Sequence, residues 1–185
     1  MNGEAGFDHV AEIHFDELDP MRMLHNTRYA VHVERALNAF FWSLGRSYAI
    51  DVAQNPDQFH VVKEFCVEFL VPFLGTGPMT TTIWVERLGG SSCTYGFLCA
   101  SPEPGLIHAR GHRTIVKLDP TTLRPAPWTE WFKESNSPLV RRSLQPQVTS
   151  TDVKRSTAAP MVVAGAASRF KATEQQRPTR ARRTA

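Results

Sequence analysis

Between residues 26 and 45, apolar side chains return every three or four positions: Tyr29, Val33, Leu37, Phe40 and Leu44. That spacing is one face of an α-helix. Asn26 can cap the free N–H groups of its first turn, and Gly45 is a natural stop. Phe41 and Trp42 widen the stripe, so the helix is expected to be more than half buried. Elsewhere the period falls to two, the mark of strands. Residues 7–15 carry Phe7, Val10, Ile13 and Phe15 in imperfect alternation. Residues 58–73 alternate at Phe59, Val61, Phe65, Val67, Phe69 and Val71, with Lys63 the one break. TTTIWVERL (80–88) is rich in β-branched residues. SSCTYGFLCA (91–100) puts Cys93, Tyr95, Phe97 and Cys99 on one face, and LIHARGHRTIVKL (106–118) is a further strand.

Turn chemistry separates these runs: Asn55-Pro56-Asp57, Gly75-Thr76-Gly77-Pro78, Gly89-Gly90 and Pro102-Glu103-Pro104-Gly105. The pattern predicts one strand, one long helix, then four strands in a meander. That order is an α+β domain, an antiparallel sheet curled around one greasy helix. A short helix is expected around Trp131. From residue 141 the chain turns rich in Ser, Thr, Pro, Gln and Arg. Residues 1–140 therefore read as one domain, and 141–185 as a flexible basic tail.

Charge sharpens that division. Residues 1–140 hold 11 Lys/Arg against 16 Asp/Glu, a balance of −5, whereas residues 141–185 hold 10 against 2, or +8. The alkaline pI belongs to the tail, so it does not point to a nucleic-acid-binding domain. No apolar run approaches the roughly 20 residues that span a bilayer. The N-terminus lacks a basic cap and an apolar stretch, so a cytoplasmic location is expected. The three cysteines, Cys66, Cys93 and Cys99, form no CxxC pair and read as small buried hydrophobes. Seven histidines lack HExxH spacing, so no metal is expected.

Periodicity stops there. HFDELDPMRMLHNTRY, from His14 to Tyr29, resembles the opening of hotdog-fold acyl-CoA thioesterases of the hydroxybenzoyl-CoA thioesterase type: a strand, an aspartate in a small loop, Asn or His, then an aromatic on the helix. VVKEFCVEFLVPFLG (61–75), VERLGGSS (85–92), ARGHRTIVKLDP (109–120) and RPAP (124–127) continue the likeness over about residues 7–130. The resemblance implies a hotdog fold of about five strands, a homodimer or homotetramer with active sites at the subunit interface, and hydrolysis of an acyl-coenzyme A. Coenzyme A is then part of the substrate, and no cofactor is implied.

It also implies that Asp19 lies beside the helix N-terminus, near the substrate thioester. There a carboxylate can attack the thioester carbon or activate water. Backbone N–H groups near Asn26 can hold the carbonyl oxygen as it becomes an oxyanion. The plainer reading is that Asp19 shapes an Asp-Pro turn. Glu34, mid-helix and off the apolar stripe, is a second acidic candidate. The family often has glycine at Arg22 and histidine at Met23. Arg22 can meet an anionic group of the substrate, and Met23 gives the site an adaptable apolar lining. His108, Arg110 and His112 alternate on one strand face with Arg113 beside them, a stripe suited to coenzyme A phosphates. Two other readings stay open: a non-catalytic acyl-CoA-binding protein, and an enoyl-CoA hydratase or dehydratase on the same fold. The second resembles a shorter Asp-to-His spacing through an Asn-Pro pair, which is absent here.

Overall fold

The structure is a computed structural model that describes residues 5–46, 51–102 and 105–141. Five strands form one antiparallel sheet: β1 (Phe7–Ile13), β2 (His60–Phe69), β3 (Gly77–Leu88), β4 (Ser92–Ala100) and β5 (Ile107–Lys117). Their order is β1-β3-β4-β5-β2. Helix α1 (Arg28–Ser43) follows β1, and a short α2 (Glu130–Asn136) follows β5. The expected four-strand meander is thus only partly right. β3, β4 and β5 form a meander, but β2 crosses over to pair with β5, His60 opposite Lys117. Alternation identifies a strand; it carries no information about which neighbour that strand takes.

The break at Lys63 is a β-bulge: the β2–β5 register shifts between Val62 and Glu64. An extra residue in a strand reverses the side-chain phase beyond it. Phe65 and Val67 pack towards the core, while Val61 and Val62 are about half exposed. The single apolar face expected for this strand is therefore two short faces. β2 is an edge, and the apolar run Phe69, Leu70 and Val71 beyond its middle is also exposed.

The helix buries Tyr29, His32, Val33, Ala36, Leu37 and Phe40 against the sheet. Facing it are Met79, Ile83 and Val85 of β3, Tyr95 and Phe97 of β4, and Ile115 of β5, all nearly inaccessible to solvent. Trp42, expected to widen the buried stripe, is 73% exposed, and Leu44 lies beyond the helix and is exposed too. β1 stops at Ile13, so Phe15 sits in a 3-10 turn and is exposed. Cys93 and Cys99 are buried, and burial pushes their thiols up to about 12 and 11. Such thiols are inert at neutral pH. Cys66 departs from the expectation, being exposed on β2.

The segment after β5 closes the far end of α1. Trp128 stacks on Phe132 with ring centroids 3.9 Å apart, and Phe132 stacks on Phe41. The buried Tyr95 hydroxyl donates to Asn136 at 2.7 Å. Asp57, also buried, accepts from Lys117 Nζ at 2.8 Å, from the Thr129 N–H at 3.1 Å and from the Thr129 hydroxyl. One carboxylate so ties the stretch before β2 to β5 and to the start of α2. The described residues include Arg141. The Arg141 N–H donates to Val85 O, its Nε donates to Ala5 O, and its guanidinium lies 3.9 Å from the Trp84 ring centroid. The remainder of the expected tail, 142–185, lies outside the described residues.

Candidate active site

The site begins with the hairpin between β1 and α1. Leu18 and Leu24 form a bridge, and the Asp19 N–H donates to Met23 O at 2.8 Å. At its tip the Asp19 carboxylate turns back: Oδ1 accepts from the N–H of Met21 at 2.8 Å and of Met23 at 3.0 Å. The turn-shaping role is therefore real. It uses one carboxylate oxygen; Oδ2 has no hydrogen-bond partner among the described residues. A second sewing line joins the hairpin to the stretch after β2, through Leu24 N–H to Phe73 O and Gly75 N–H to Arg22 O, each 2.9 Å.

Glu17 anchors this loop to the helix. It is buried, and accepts from the His14 N–H at 3.0 Å, from His32 Nε2 at 3.1 Å and from Arg35 at 3.2 Å. Burial pushes its carboxyl up, yet the His14 N–H, His32 and Arg35 outweigh that and hold it below its ordinary value. Burial also lowers the His32 imidazole, against the pull of Glu17. Sequence reasoning missed this pair. The signal was there: His32 is a polar residue one position from Val33 on an otherwise apolar stripe, and such a residue needs a buried partner.

The helix starts at Arg28, later than expected, with Thr27 at its N-cap and no side-chain cap from Asn26. His25 instead holds the residue before the helix, its Nδ1 accepting the Thr27 N–H at 3.3 Å. Asn26 is exposed, and its N–H has no hydrogen-bond partner among the described residues. Asp19, Met23, His25, Asn26 and Tyr29 line one pocket of about 490 Å³ with Phe69, Leu70 and Val71 on its far wall. The buried Tyr29 ring meets Phe69 edge-on at 5.3 Å. Burial pushes its phenol up to about 12, the Cys99 thiol adding and the Phe73 N–H opposing. It stays protonated at neutral pH and closes the pocket floor.

Arg22 stands at the hairpin tip, exposed, with φ of +64°. A left-handed backbone favours glycine, which is the residue the resemblance led us to expect. Arg22→Gly should relieve about 1–2 kcal/mol of strain and return part of it through the freer unfolded chain. The expected result in differential scanning calorimetry is an unchanged or slightly raised Tm. A clear fall would show that the arginine side chain holds the loop.

The other expected residues lie elsewhere. Glu34 pairs with Arg113 at 2.8 Å and lines a different cavity. Arg110 faces outward and pairs with Glu68 at 2.7 Å, both half exposed. His112, two positions on, lies 3.6 Å from Glu64, while Arg113 beside them is buried. His108 is buried, 2.6 Å from Ser101 Oγ and 3.0 Å from Val71 O. The structure brings together Asp19, Met23 and Asn26, and leaves Glu34, Arg110 and Arg113 apart from them. Among the described residues no three His, Cys, Asp or Glu side chains gather as a metal site requires, and no helix is long and apolar enough to cross a membrane.

No family model and no curated protein matches the chain. Solved structures do. A 1,4-dihydroxy-2-naphthoyl-CoA thioesterase from Synechocystis aligns with a TM-score of 0.63 at 10% identity, over 70% of this chain and 94% of that one. A predicted thioesterase from Bacillus stearothermophilus gives 0.62 at 20% identity, over 75% and 98%. A thioesterase from Thermus thermophilus, complexed with coenzyme A and Zn, gives 0.58 at 24% identity, over 71% and 97%. At these identities the likeness establishes the fold: a curled five-stranded antiparallel sheet around a long helix, the hotdog fold shared with these thioesterases.

Proposed function

We propose that the chain hydrolyses the thioester of an acyl-coenzyme A to the free acid and coenzyme A, acting in the cytoplasm. The observation that carries this is a carboxylate and a helix start at one pocket: Asp19 Oδ2 and the exposed Asn26 N–H at the approach to α1, both without a hydrogen-bond partner among the described residues. The Met21 and Met23 N–H groups fix the carboxylate in place. From that position Asp19 attacks the thioester carbon or takes a proton from water. The Asn26 N–H and the positive end of the helix dipole hold the oxygen that gains charge. The C–S bond breaks and coenzyme A leaves as the thiol, its sulfur taking up the proton that the water gives up; where Asp19 attacks first, water then cleaves the acyl–aspartyl anhydride to the free acid and restores the carboxylate. The fold neighbours, thioesterases by name, support the reading. The test is thiol release over a panel of acyl-coenzyme A substrates of different chain length and aromaticity. Release from none of them at micromolar enzyme would sink it.

The Asp19 pocket opens along Phe69, Leu70 and Val71, beside an edge strand with apolar residues in solvent. An unpaired strand of this kind invites a second copy. We expect a homodimer or homotetramer, with β2 at the subunit contact. Light scattering should give at least twice the 20.8 kDa chain mass at micromolar concentration. Cys66, exposed near the middle of β2, should cross-link two subunits under mild oxidation if β2 pairs with its counterpart. A monomeric mass would count against the arrangement.

A binding protein without turnover is the second reading, and one observation favours it. Asp19 Oδ1 is committed to two backbone donors, the posture of a turn residue. Tight binding of a non-hydrolysable acyl-coenzyme A analogue, without thiol release from any thioester, would select it.

A further inference from the structure

The Asp19 hairpin rests on a buried carboxylate, that of Glu17, which lines neither the Asp19 pocket nor the cavity at Glu34. This one residue grips three parts of the site. Its backbone carbonyl accepts the His25 N–H at 3.0 Å, on the returning limb of the hairpin. Its carboxylate Oε2 accepts the His14 N–H, at the foot of the outgoing limb. Oε1 accepts from His32 Nε2 and from Arg35, both on α1. Among the described residues, these last two are the hydrogen bonds that join residues 14–25 to α1 beyond its first residue, Arg28. Asp19 stands two residues past Glu17 on one limb, and Asn26 one residue past His25 on the other. The carboxylate and the backbone N–H assigned to the chemistry therefore share Glu17 as their footing.

The partner that Glu17 takes is an expensive one. His32 is 1% exposed, within the apolar stripe of α1. A carboxylate only accepts, so Nε2 carries the hydrogen. Nδ1 of the neutral ring is then a lone pair, and it is buried without a partner. Burial keeps the ring neutral; Glu17 opposes this, and the charges of Arg35 on α1 and His9 on β1 add to it. Two apolar side chains of like volume would hold hairpin to helix as firmly, because burying an ionised group offsets much of what its pairing returns. What they would lack is direction. Hydrogen bonds of about 3 Å fix a distance and an angle, whereas apolar surfaces slide over one another.

We propose that Glu17 and His32 are a positioning pair for Asp19, locking its hairpin in register on α1 so that Asp19 Oδ2 and the Asn26 N–H keep a fixed separation. The inference rests on the hydrolysis reading and names what makes its geometry exact. Neither side chain lines the Asp19 pocket, so the pair acts on rate and leaves substrate binding alone.

The test compares two variants with wild type. The double variant Glu17→Met, His32→Leu replaces the pair by apolar side chains of similar volume. His32→Gln keeps an N–H donor that reaches the place of Nε2. Leu18 and Leu24 still pack on the core in both, so the fold should hold. The double variant should lose roughly 10²-fold in kcat, the usual effect of a displacement of about 1 Å. KM should move little, and Tm should match or exceed that of wild type. His32→Gln should recover most of the lost kcat. Amide hydrogen exchange, followed by NMR, reads the same hold without turnover. The Met23 N–H, which Asp19 Oδ1 accepts at 3.0 Å, should exchange roughly tenfold faster in the double variant, with the amides of β3, β4 and β5 unchanged. An unfolded double variant hands the decision to Glu17→Gln, which keeps the shape, sets an amide N–H against a donor, and should show the same split. Wild-type kcat together with wild-type Met23 exchange would overturn the proposal, as would a kcat that only follows Tm from variant to variant, or a His32→Gln variant as impaired as the double. If wild type releases thiol from no acyl-coenzyme A, the hydrolysis reading falls by itself. Faster Met23 exchange in the double variant would then still uphold the hold on Asp19, and unchanged exchange would remove it.

Discussion

Asp19→Asn should lower thiol release by about 10²–10⁴-fold, the usual worth of a positioned general base. The substitution keeps the side chain's size and its amide oxygen can still accept the Met21 and Met23 N–H groups, so the hairpin should survive. It removes the charge and the basicity at Oδ2, where the chemistry is placed. KM should move little and Tm should stay within a few degrees of wild type. Glu34→Gln is the comparison. It breaks the Arg113 pair in the other cavity and should cost at least tenfold less in turnover than Asp19→Asn. The opposite ranking, with Asp19→Asn near wild type and Glu34→Gln inactive, would make the helix carboxylate the catalyst. The site would then have to be rebuilt around Glu34.

The second large effect concerns stability. Gly111 on β5 lies opposite Val67 of β2 and Phe97 of β4. A Cβ there would stand 2.0 Å from the Cys66 carbonyl oxygen and 2.9 Å from both the Cys66 carbonyl carbon and the Phe97 ring. Backbone cannot swing aside as a side chain can. Gly111→Ala must push β2 away from β5 and separate the Phe65 ring from Phe97, on which it stacks at 5.4 Å. Overpacking typically costs about 1–3 kcal/mol, and a clash with backbone belongs at or above the upper end. A loss of about 3 kcal/mol corresponds to a Tm fall of roughly 6–12 °C at this chain length. Gly96→Ala is the milder neighbour. Its Cβ would meet the Trp84 indole and the Glu86 carboxylate, which are side-chain groups able to move. If urea titration finds Gly111→Ala within about 1 kcal/mol of wild type, below the usual range for overpacking, the close approach of β2 to β5 is not as described.

Much of this molecule is legible in the order of its residues. The helix and five strands follow from periods of 3.6 and 2, and Asp19 stands out once its loop is set between a strand and a helix. Three kinds of feature escape. Phase is lost at Lys63, because alternation can be counted through a bulge without noticing that the faces have exchanged. Exposure is lost at Trp42, because a bulky apolar residue one step off the stripe reads as its continuation. The cavity at Glu34 is lost altogether. Glu34, His60, Arg113 and Phe132 come from α1, β2, β5 and α2, and no local pattern joins them. By contrast the strain at Arg22 was half visible, as a residue standing where the resemblance leads one to expect glycine, and φ supplies the reason.

The crossing of β2 to the far edge also sets a schedule for synthesis. His60 finds its sheet partner at Lys117, so β2 leaves the ribosome roughly 50 residues before the strand that will hold it. At about 5–20 residues per second that is a wait of roughly 3–10 s. Throughout it Val61, Val62, Phe69, Leu70 and Val71 have no sheet to join, and even afterwards they remain on an edge. The nascent chain is therefore most exposed to misassociation in the interval between β2 and β5. Slowed elongation across residues 70–117 should lower soluble yield more than the same pause placed after residue 141.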